Sequence, residues 1–151
     1  ATTFWEAYDP YWSKIDFHGH LDADGTIGYN ASLCHGWSSG PTSWLTERVL
    51  GVSPTSGGFH TATISPDLGS LKWAEGAVPT PHGPIRVRAE KLRDGEKIRI
   101  ALPAGIEASV RLPGRRLLLN GHLDAHARSS NGRLEAVLDH AGAYLFTALA
   151  D

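Results

Sequence analysis

The chain of 151 residues and 16.2 kDa is long enough for one ordinary domain, or for a small domain together with part of another. Its 41% hydrophobic and 20% charged residues support a packed core and exclude a disordered tail, while a net charge of −2 gives no electrostatic case for nucleic acid. No apolar run approaches the roughly 20 residues of a membrane helix, and no signal peptide pattern opens the chain. We therefore expect a soluble protein that binds neither nucleic acid nor membrane, in a compartment that the sequence does not indicate.

The composition changes near Gly51 and divides the chain into two unlike halves. Residues 1–50 contain four of the five tryptophans and have a net charge of −4, whereas residues 51–151 have a net charge of +2. A change of this size is typical of a domain boundary. The single cysteine, Cys34, excludes an internal disulfide framework and any zinc site with several cysteines.

The first half is predicted to consist of helix and loop. Pro41 suits a first helical position, and the apolar residues that follow it recur at helical spacing, so a helix is expected from about Pro41 to Leu50. A shorter helical stretch is expected around residues 31–38. Turn residues recur between Tyr8 and Asn30, which predicts a long loop there, and such loops are often functional.

The second half is predicted to consist of short antiparallel strands. Apolar and polar residues alternate in Ile85-Arg86-Val87-Arg88, which indicates one buried and one solvated face. Turn dipeptides such as Asp94-Gly95 and Asn120-Gly121 separate the segments, as expected for an antiparallel sandwich. The eight predicted strands are 61–64, 72–77, 85–92, 97–102, 107–112, 115–119, 133–138 and 143–149.

The opening of the chain places a carboxylate beside aromatic rings. Trp5 precedes Glu6, and aromatic neighbours raise the pKa of a carboxyl group by desolvation and also stack on sugar faces. A glutamate beside a tryptophan is more often a carboxylate at a helix start, so this pair alone does not identify a site.

A second candidate cluster runs from Ser32 to Pro41. His35 in it could orient or donate to a substrate oxygen, and the glycines and serines around it would let a ligand approach closely. A buried histidine at a helix kink explains the same spacing equally well. Cys34 and His35 do not form a nucleophilic pair, because adjacent helical residues do not face each other, and Cys34 is expected in the core.

Metal-ligating residue types recur in the predicted loop. His18, His20 and Asp22 lie at alternate positions, and Asp22-Ala23-Asp24-Gly25 is similar to the start of a calcium loop but lacks its later oxygen ligands. Solvated loop residues explain both patterns better. We expect no metal site and no cofactor.

The order of several strings along the chain resembles the C-terminal end of a bacterial α-L-rhamnosidase of glycoside hydrolase family 78. The resemblance covers nearly the whole chain, and its specificity comes from the joint presence of the strings in this order. They are Thr2-Thr3-Phe4-Trp5-Glu6, Ser32-Leu33-Cys34-His35-Gly36-Trp37-Ser38, Pro41, Trp44-Leu45, Leu50-Gly51-Val52, Pro54, Gly58-Phe59, Ile64-Ser65-Pro66-Asp67-Leu68-Gly69, Gly76, Pro79-Thr80-Pro81-His82-Gly83, Ala101-Leu102-Pro103-Ala104-Gly105 and Ala141-Gly142-Ala143-Tyr144.

The resemblance implies a mixed fold in two parts. Residues 1–50 would be the last helix and loop segment of a catalytic (α/α)₆ barrel, and residues 51–151 would be a C-terminal antiparallel β-sandwich. Glu6 matches the family's general base, His35 matches a histidine that contacts rhamnose, and Trp5 would line the same pocket. The family's general acid lies upstream of this chain, so the chain is expected to be a C-terminal fragment that is inactive alone.

The resemblance implies an inverting α-L-rhamnosidase, which removes terminal α-L-rhamnosyl groups from glycosides or polysaccharides. Two further function classes stay open. One is a non-catalytic sugar-binding or scaffolding β-sandwich module. The other is a histidine-rich metal-binding protein. The expected partners are a rhamnosyl-containing carbohydrate and either the remaining part of the barrel or a second copy of the chain, since four tryptophans in residues 1–50 would otherwise face water.

Overall fold

The computed structural model describes residues 34–124, 126–130 and 132–150. The chain divides into two compact units, Ala1–Ser43 and Trp44–Asp151. The predicted loop between Tyr8 and Asn30 lies outside the described residues, as do the first residues of the helical stretch expected at 31–38.

Helical turns lead into the second unit. A 3₁₀ turn, Gly36–Ser39, is followed by α1, Gly40–Trp44, and by a π-helical turn, Leu45–Val49. The helix predicted from about Pro41 to Leu50 is therefore confirmed in position. Its hydrogen bonding is less regular than that of one continuous α-helix. The Leu50 amide donates to the Leu45 carbonyl at 3.0 Å, a bond that spans five residues instead of four.

Eleven strands follow in the described part of the second unit. They are β1 (Val52–Pro54), β2 (Thr61–Ile64), β3 (Trp73–Val78), β4 (Ile85–Leu92), β5 (Gly95–Leu102), β6 (Glu107–Pro113), β7 (Arg116–Leu119), β8 (His122–Leu123), β9 (Arg128–Ser130), β10 (Arg133–Leu138) and β11 (Gly142–Leu149). A further 3₁₀ turn, Gly57–Phe59, lies between β1 and β2.

The strands form two sheets that enclose one core. The five-stranded sheet has the order β1-β2-β6-β10-β9, and the six-stranded sheet has the order β3-β4-β5-β11-β7-β8. Side chains at alternate positions of both sheets point inward and form one hydrophobic cluster, with Ile64 and Val110 from the first sheet and Ile85, Ile98 and Phe146 from the second. The predicted β-sandwich is confirmed.

All eight strands predicted from the alternating pattern are present, with ends that differ by at most two residues. The pattern missed β1, β8 and β9, which have three, two and three residues. Strands this short span too few residues to show a period of two. The helix and the eleven strands together confirm the mixed fold class.

One pair of strands is parallel, which the prediction of an antiparallel sandwich did not anticipate. Residues Thr61–Ile64 of β2 pair in parallel with residues 107–110 of β6. The chain between them forms β3, β4 and β5 in the opposite sheet. That long crossing connection permits the parallel pairing, which a tight hairpin would not.

The predicted turn at Asn120-Gly121 joins β7 to β8 as a two-residue hairpin. Leu119 pairs with His122, and both turn residues have positive φ, 52° for Asn120 and 86° for Gly121. This is the backbone of a type I′ turn, for which an Asn-Gly pair is strongly preferred because both positions need φ above zero.

The end of the helical segment packs onto the sandwich. Val49 is buried, and a Cβ placed on Gly76 of β3 would lie 2.5 Å from Leu50 Cδ1, so that glycine leaves room for the leucine. Gly51 has a φ of 71° and accepts a hydrogen bond from the Ser65 amide at 2.9 Å. The residues on either side of the predicted boundary at 50/51 are thus packed against the β-unit.

Candidate functional site

Of the three site residues that the resemblance indicates, the structure describes His35. Glu6 and Trp5 lie outside the described residues. His35 directly precedes the 3₁₀ turn, where its extended backbone (φ −110°, ψ 110°) places its carbonyl to accept from the Ser38 amide at 3.0 Å. Its half-buried imidazole lies edge-on to the Trp37 ring, with the centroids 5.5 Å apart.

The surroundings of His35 leave room at the backbone. A Cβ placed on Gly36 or on Gly40 would meet nothing within 4 Å. The Ser39 hydroxyl donates to the Gly36 carbonyl at 2.5 Å, which holds the turn closed. The turn therefore presents an imidazole, an indole ring and two glycines, groups that suit contact with a sugar.

One cysteine and several apolar side chains of this segment are exposed to solvent. Cys34 is exposed, so its predicted place in the core is wrong; it precedes the helical turns rather than lying within one. Trp37 is 94% exposed, and the second unit likewise exposes Trp44 (59%) and Leu45 (50%).

His18, His20 and Asp22, the residues of metal-ligating type for which no metal site was expected, lie outside the described residues. Among the residues that are described, no group of three His, Cys, Asp or Glu side chains could hold a metal ion. His60 and His82 form an edge-on pair with centroids 5.0 Å apart, without a third ligand of that kind. In the same part of the chain, no helix is both long and apolar enough to cross a membrane.

A groove of about 600 Å³ lies on the outer face of the six-stranded sheet. We call it the outer groove; β3, β4, β5 and β11 form it. One row of residues that pair across these strands is Ala77, Arg86, Ala101 and Ala143, and the next row is Glu75, Arg88, Arg99 and Leu145. The groove exists because the three alanines have short side chains, which cover little of the sheet surface.

Arg88 is held rigidly at one edge of the outer groove. Its Nη1 donates to Glu75 Oε2 and its Nε to Glu90 Oε1, both at 2.6 Å, and its guanidinium lies 5.0 Å from the centre of the Trp73 ring. The hydrogen bonds that Arg88 donates to the two glutamates raise the pKa of Arg88, and the one to Glu90 lowers the pKa of Glu90. Two carboxylates thus neutralise this arginine.

The other polar groups of the outer groove keep unused donors. Arg86 makes no hydrogen bond or ion pair within the described residues, and Arg99 has one long contact, Nη1 to Glu90 Oε1 at 3.8 Å. Asn120 Oδ1 accepts from the Leu145 amide at 3.0 Å, which fixes the side chain and leaves its NH₂ group to donate elsewhere.

The outer groove has no counterpart among the sites predicted from the sequence. The outward position of Arg86 and Arg88 follows from the alternation in β4, but the register that places Arg99 opposite Arg88 does not. Register depends on hydrogen bonding between strands, and many pairings satisfy the same alternation.

A half-buried carboxyl group lies at the opposite end of the same sheet. Glu96 begins the row of inward-facing positions on β5 and lines a small cavity of about 320 Å³ beside Lys91 and Gly114. Its Oε2 atom is buried and lacks a hydrogen-bond partner among the described residues. Desolvation raises the pKa of Glu96 above its ordinary value, against the weaker opposing effect of Arg133 and Lys91.

Glu96→Gln is therefore expected to raise the free energy of unfolding at pH 7. Burial disfavours the carboxylate in the folded state, so the penalty is complete above the raised folded-state pKa and disappears below the unfolded one. The group is only half-buried, which limits the gain to no more than about 1 kcal/mol. Urea unfolding at pH 7 and at pH 3.5 measures it, with exposed Glu107→Gln as the control. An equal gain at both pH values would contradict the assignment.

Comparison with known proteins identifies the second unit. The sequence profile of the bacterial alpha-L-rhamnosidase C-terminal domain matches residues 51–126. An alpha-L-rhamnosidase of Alteromonas sp. (strain LOR) is 38% identical over 109 residues, which are 72% of this chain and 11% of that protein.

Solved structures share the fold. An α-L-rhamnosidase from Dictyoglumus thermophilum superposes with a TM-score of 0.71 at 19% identity, over 83% of this chain and 15% of that one. The α-L-rhamnosidase of Streptomyces avermitilis, solved with L-rhamnose, gives a TM-score of 0.66 at 22% identity, over 85% of this chain and 13% of that one.

The chain thus spans between 11% and 15% of the length of these relatives. Its match to the family profile begins at Gly51, one residue before β1, and extends through β8. This sandwich belongs to the bacterial α-L-rhamnosidase family of glycoside hydrolases, as that family's C-terminal domain.

Proposed function

We propose that this chain is the C-terminal portion of an inverting α-L-rhamnosidase, which hydrolyses terminal α-L-rhamnosyl residues of glycosides or polysaccharides. The observation that carries the proposal is the profile match over residues 51–126. The relatives are several times longer than this chain, which supports the proposal that the remaining part of the enzyme lies in polypeptide beyond it.

Glu6 is proposed as the general base. An inverting glycosidase needs one carboxylic acid to protonate the leaving oxygen and one carboxylate to activate water on the opposite face of the sugar, roughly 6.5–9.5 Å apart. Glu6 matches the family's base, and the matching acid lies upstream. The 151-residue chain is therefore proposed to be inactive alone.

His35 and Trp5 are proposed to contact the rhamnosyl group. The described surroundings of His35 support this role, because the imidazole is half-buried beside Trp37 and two glycines adjoin open space. An imidazole held in this way donates to or accepts from a sugar hydroxyl, and an indole stacks on the apolar face of a sugar ring.

His35→Ala in the full-length enzyme is expected to lower kcat/KM roughly 10–100-fold, through both kcat and KM. Losing one hydrogen bond to the substrate costs about 1.5–3 kcal/mol when a charged or buried group is left unpaired. Steady-state kinetics on an aryl α-L-rhamnoside measure the effect, and exposed His122→Ala is the matched control. An unchanged kcat/KM would remove His35 from the substrate site.

The helical residues before the sandwich are proposed to pack against the rest of the barrel, or against a second copy of the chain. Trp37 in the first unit and Trp44 with Leu45 in the second are exposed, and burying an aromatic side chain removes on the order of 150–250 Å² from water. Residues 1–50 would then belong to the catalytic domain and residues 51–151 to the C-terminal domain.

A further inference from the structure

We propose that the outer groove binds an acidic sugar residue, one that carries a carboxylate or a sulfate ester, through Arg86 and Arg99. The choice of a saccharide rests on the proposed function, since the substrate of a rhamnosidase is a glycan.

The register of the strands brings the two arginines together. Arg86 on β4 pairs with Ala101, and Arg99, two residues earlier on β5, pairs with Arg88. Arg86 and Arg99 are therefore diagonal neighbours on one face of an antiparallel pair, about 7–8 Å apart at their backbones. The side chains of both are long enough to reach one anion from that separation.

The charges of the outer groove favour an anion. Three arginines and one glutamate line it, and Glu90 contacts Arg88 and Arg99 beside it, which leaves a net charge of +1 for the whole group. Arg88 is matched by Glu75 and Glu90, while Arg86 has no counter-ion in the described part of the chain and Arg99 has only the 3.8 Å contact. Arg88 and Arg99 lie directly opposite each other, and Glu90 contacts both, so the charge that stays without a counter-ion is that of Arg86.

The shape and the remaining groups favour a sugar over a bare ion. A volume of about 600 Å³ falls in the range of small-molecule sites and exceeds the needs of one small anion. Ala77, Ala101 and Ala143 provide a flat apolar floor, and the NH₂ group of Asn120 is available for a hydroxyl at the β11 side. A carboxylate or sulfate would bind the arginines while the sugar ring covers the alanines.

Calorimetric titration of the 151-residue chain tests the proposal directly. The probes are tri-galacturonate, a galactose trisaccharide bearing sulfate esters, neutral galactotriose and inorganic sulfate. We expect at least one of the two acidic trisaccharides to bind at least tenfold more tightly than galactotriose and than inorganic sulfate. The affinities of tri-galacturonate and of the sulfated trisaccharide, compared with each other, show whether the groove prefers a carboxylate or a sulfate ester. Equal affinity for inorganic sulfate, or no affinity for either acidic trisaccharide, would overturn it.

Three groove variants and one control variant locate the binding. Arg86→Gln and Arg99→Gln are expected to raise the dissociation constant at least tenfold, while Arg115→Gln, an exposed arginine in the turn before β7, changes it less than twofold. Ala101→Leu keeps every charge but fills the floor, so it is expected to weaken binding similarly. Equal losses in Arg86→Gln and Arg115→Gln, or none in Ala101→Leu, would mean binding by surface charge alone.

The full-length enzyme separates this inference from the proposed function. Arg86→Gln is expected to leave hydrolysis of a small neutral aryl rhamnoside unchanged and to raise KM for an acidic rhamnosyl polysaccharide. A wild-type enzyme that hydrolyses the aryl rhamnoside but binds no acidic saccharide would overturn only the inference. A lowered melting temperature of full-length Arg86→Gln, with no saccharide bound by the wild type, would assign this face to the rest of the polypeptide instead.

Discussion

Glu6→Gln in the full-length enzyme is expected to lower kcat by about 10²–10⁴-fold, the range for loss of a positioned general base. A neutral amide cannot accept the proton of the attacking water, although it is nearly the same size and shape as the carboxylate. KM should change little, because the substrate contacts remain. Steady-state kinetics on an aryl α-L-rhamnoside, together with the melting temperature of the variant, measure the loss and check the fold.

Glu107→Gln is the matched control for that substitution. Glu107 begins β6 in the C-terminal domain and is exposed, so the same chemical change there should leave kcat at the wild-type value. A Glu6→Gln enzyme with near-normal kcat would show that another group activates the water.

Removal of the helical turn before β1 is expected to have the largest effect on stability. A polypeptide of residues 44–151 should unfold cooperatively, because it contains the whole second unit. A polypeptide of residues 53–151 loses the buried Val49 and Val52 and the Leu50 side chain that packs on Gly76. At about 1.5–3 kcal/mol for each well-buried aliphatic side chain, roughly 3–6 kcal/mol is lost.

That loss is comparable to the whole stability of a small domain, about 5–15 kcal/mol, so the shorter polypeptide should be marginal or unfolded. Urea unfolding followed by circular dichroism compares the two. Leu50→Ala combined with Val52→Ala in residues 44–151 is the control, since it removes side-chain packing but keeps the chain length. Equal stability of the two polypeptides would mean that the sandwich core needs neither the turn nor Val52.

The sandwich could be predicted from the sequence because each of its longer strands shows a pattern that depends only on neighbouring residues. Strand β4, with apolar residues at 85, 87 and 89, and the Asn120-Gly121 turn each satisfy a rule that depends on a few neighbouring residues. The parallel pairing of β2 with β6 depends on contacts more than 40 residues apart, for which no local rule exists. The boundary at 50/51 was proposed from a change in composition along the sequence. The packing of Leu50 on Gly76 is a contact between residues distant in sequence, so composition could not predict it.

Of the two candidate sites, the sequence predicted the one at His35 but not the outer groove. His35 was singled out by its neighbours and by the family resemblance, and the structure adds the edge-on contact with Trp37. The outer groove was not anticipated, because Arg86 and Arg99 lie 13 positions apart and only the hairpin of β4 and β5 makes them neighbours. Residues that function together through strand register leave no signature in a single sequence.

The anomeric configuration of the first product tests the central proposal most directly. Proton NMR follows hydrolysis of an aryl α-L-rhamnoside by the full-length enzyme, with the 151-residue chain measured in parallel. An inverting mechanism, with Glu6 activating water on the face opposite the leaving group, predicts that β-L-rhamnose appears first and that the 151-residue chain releases none. Release of α-L-rhamnose first, or hydrolysis by the 151-residue chain alone, would contradict it.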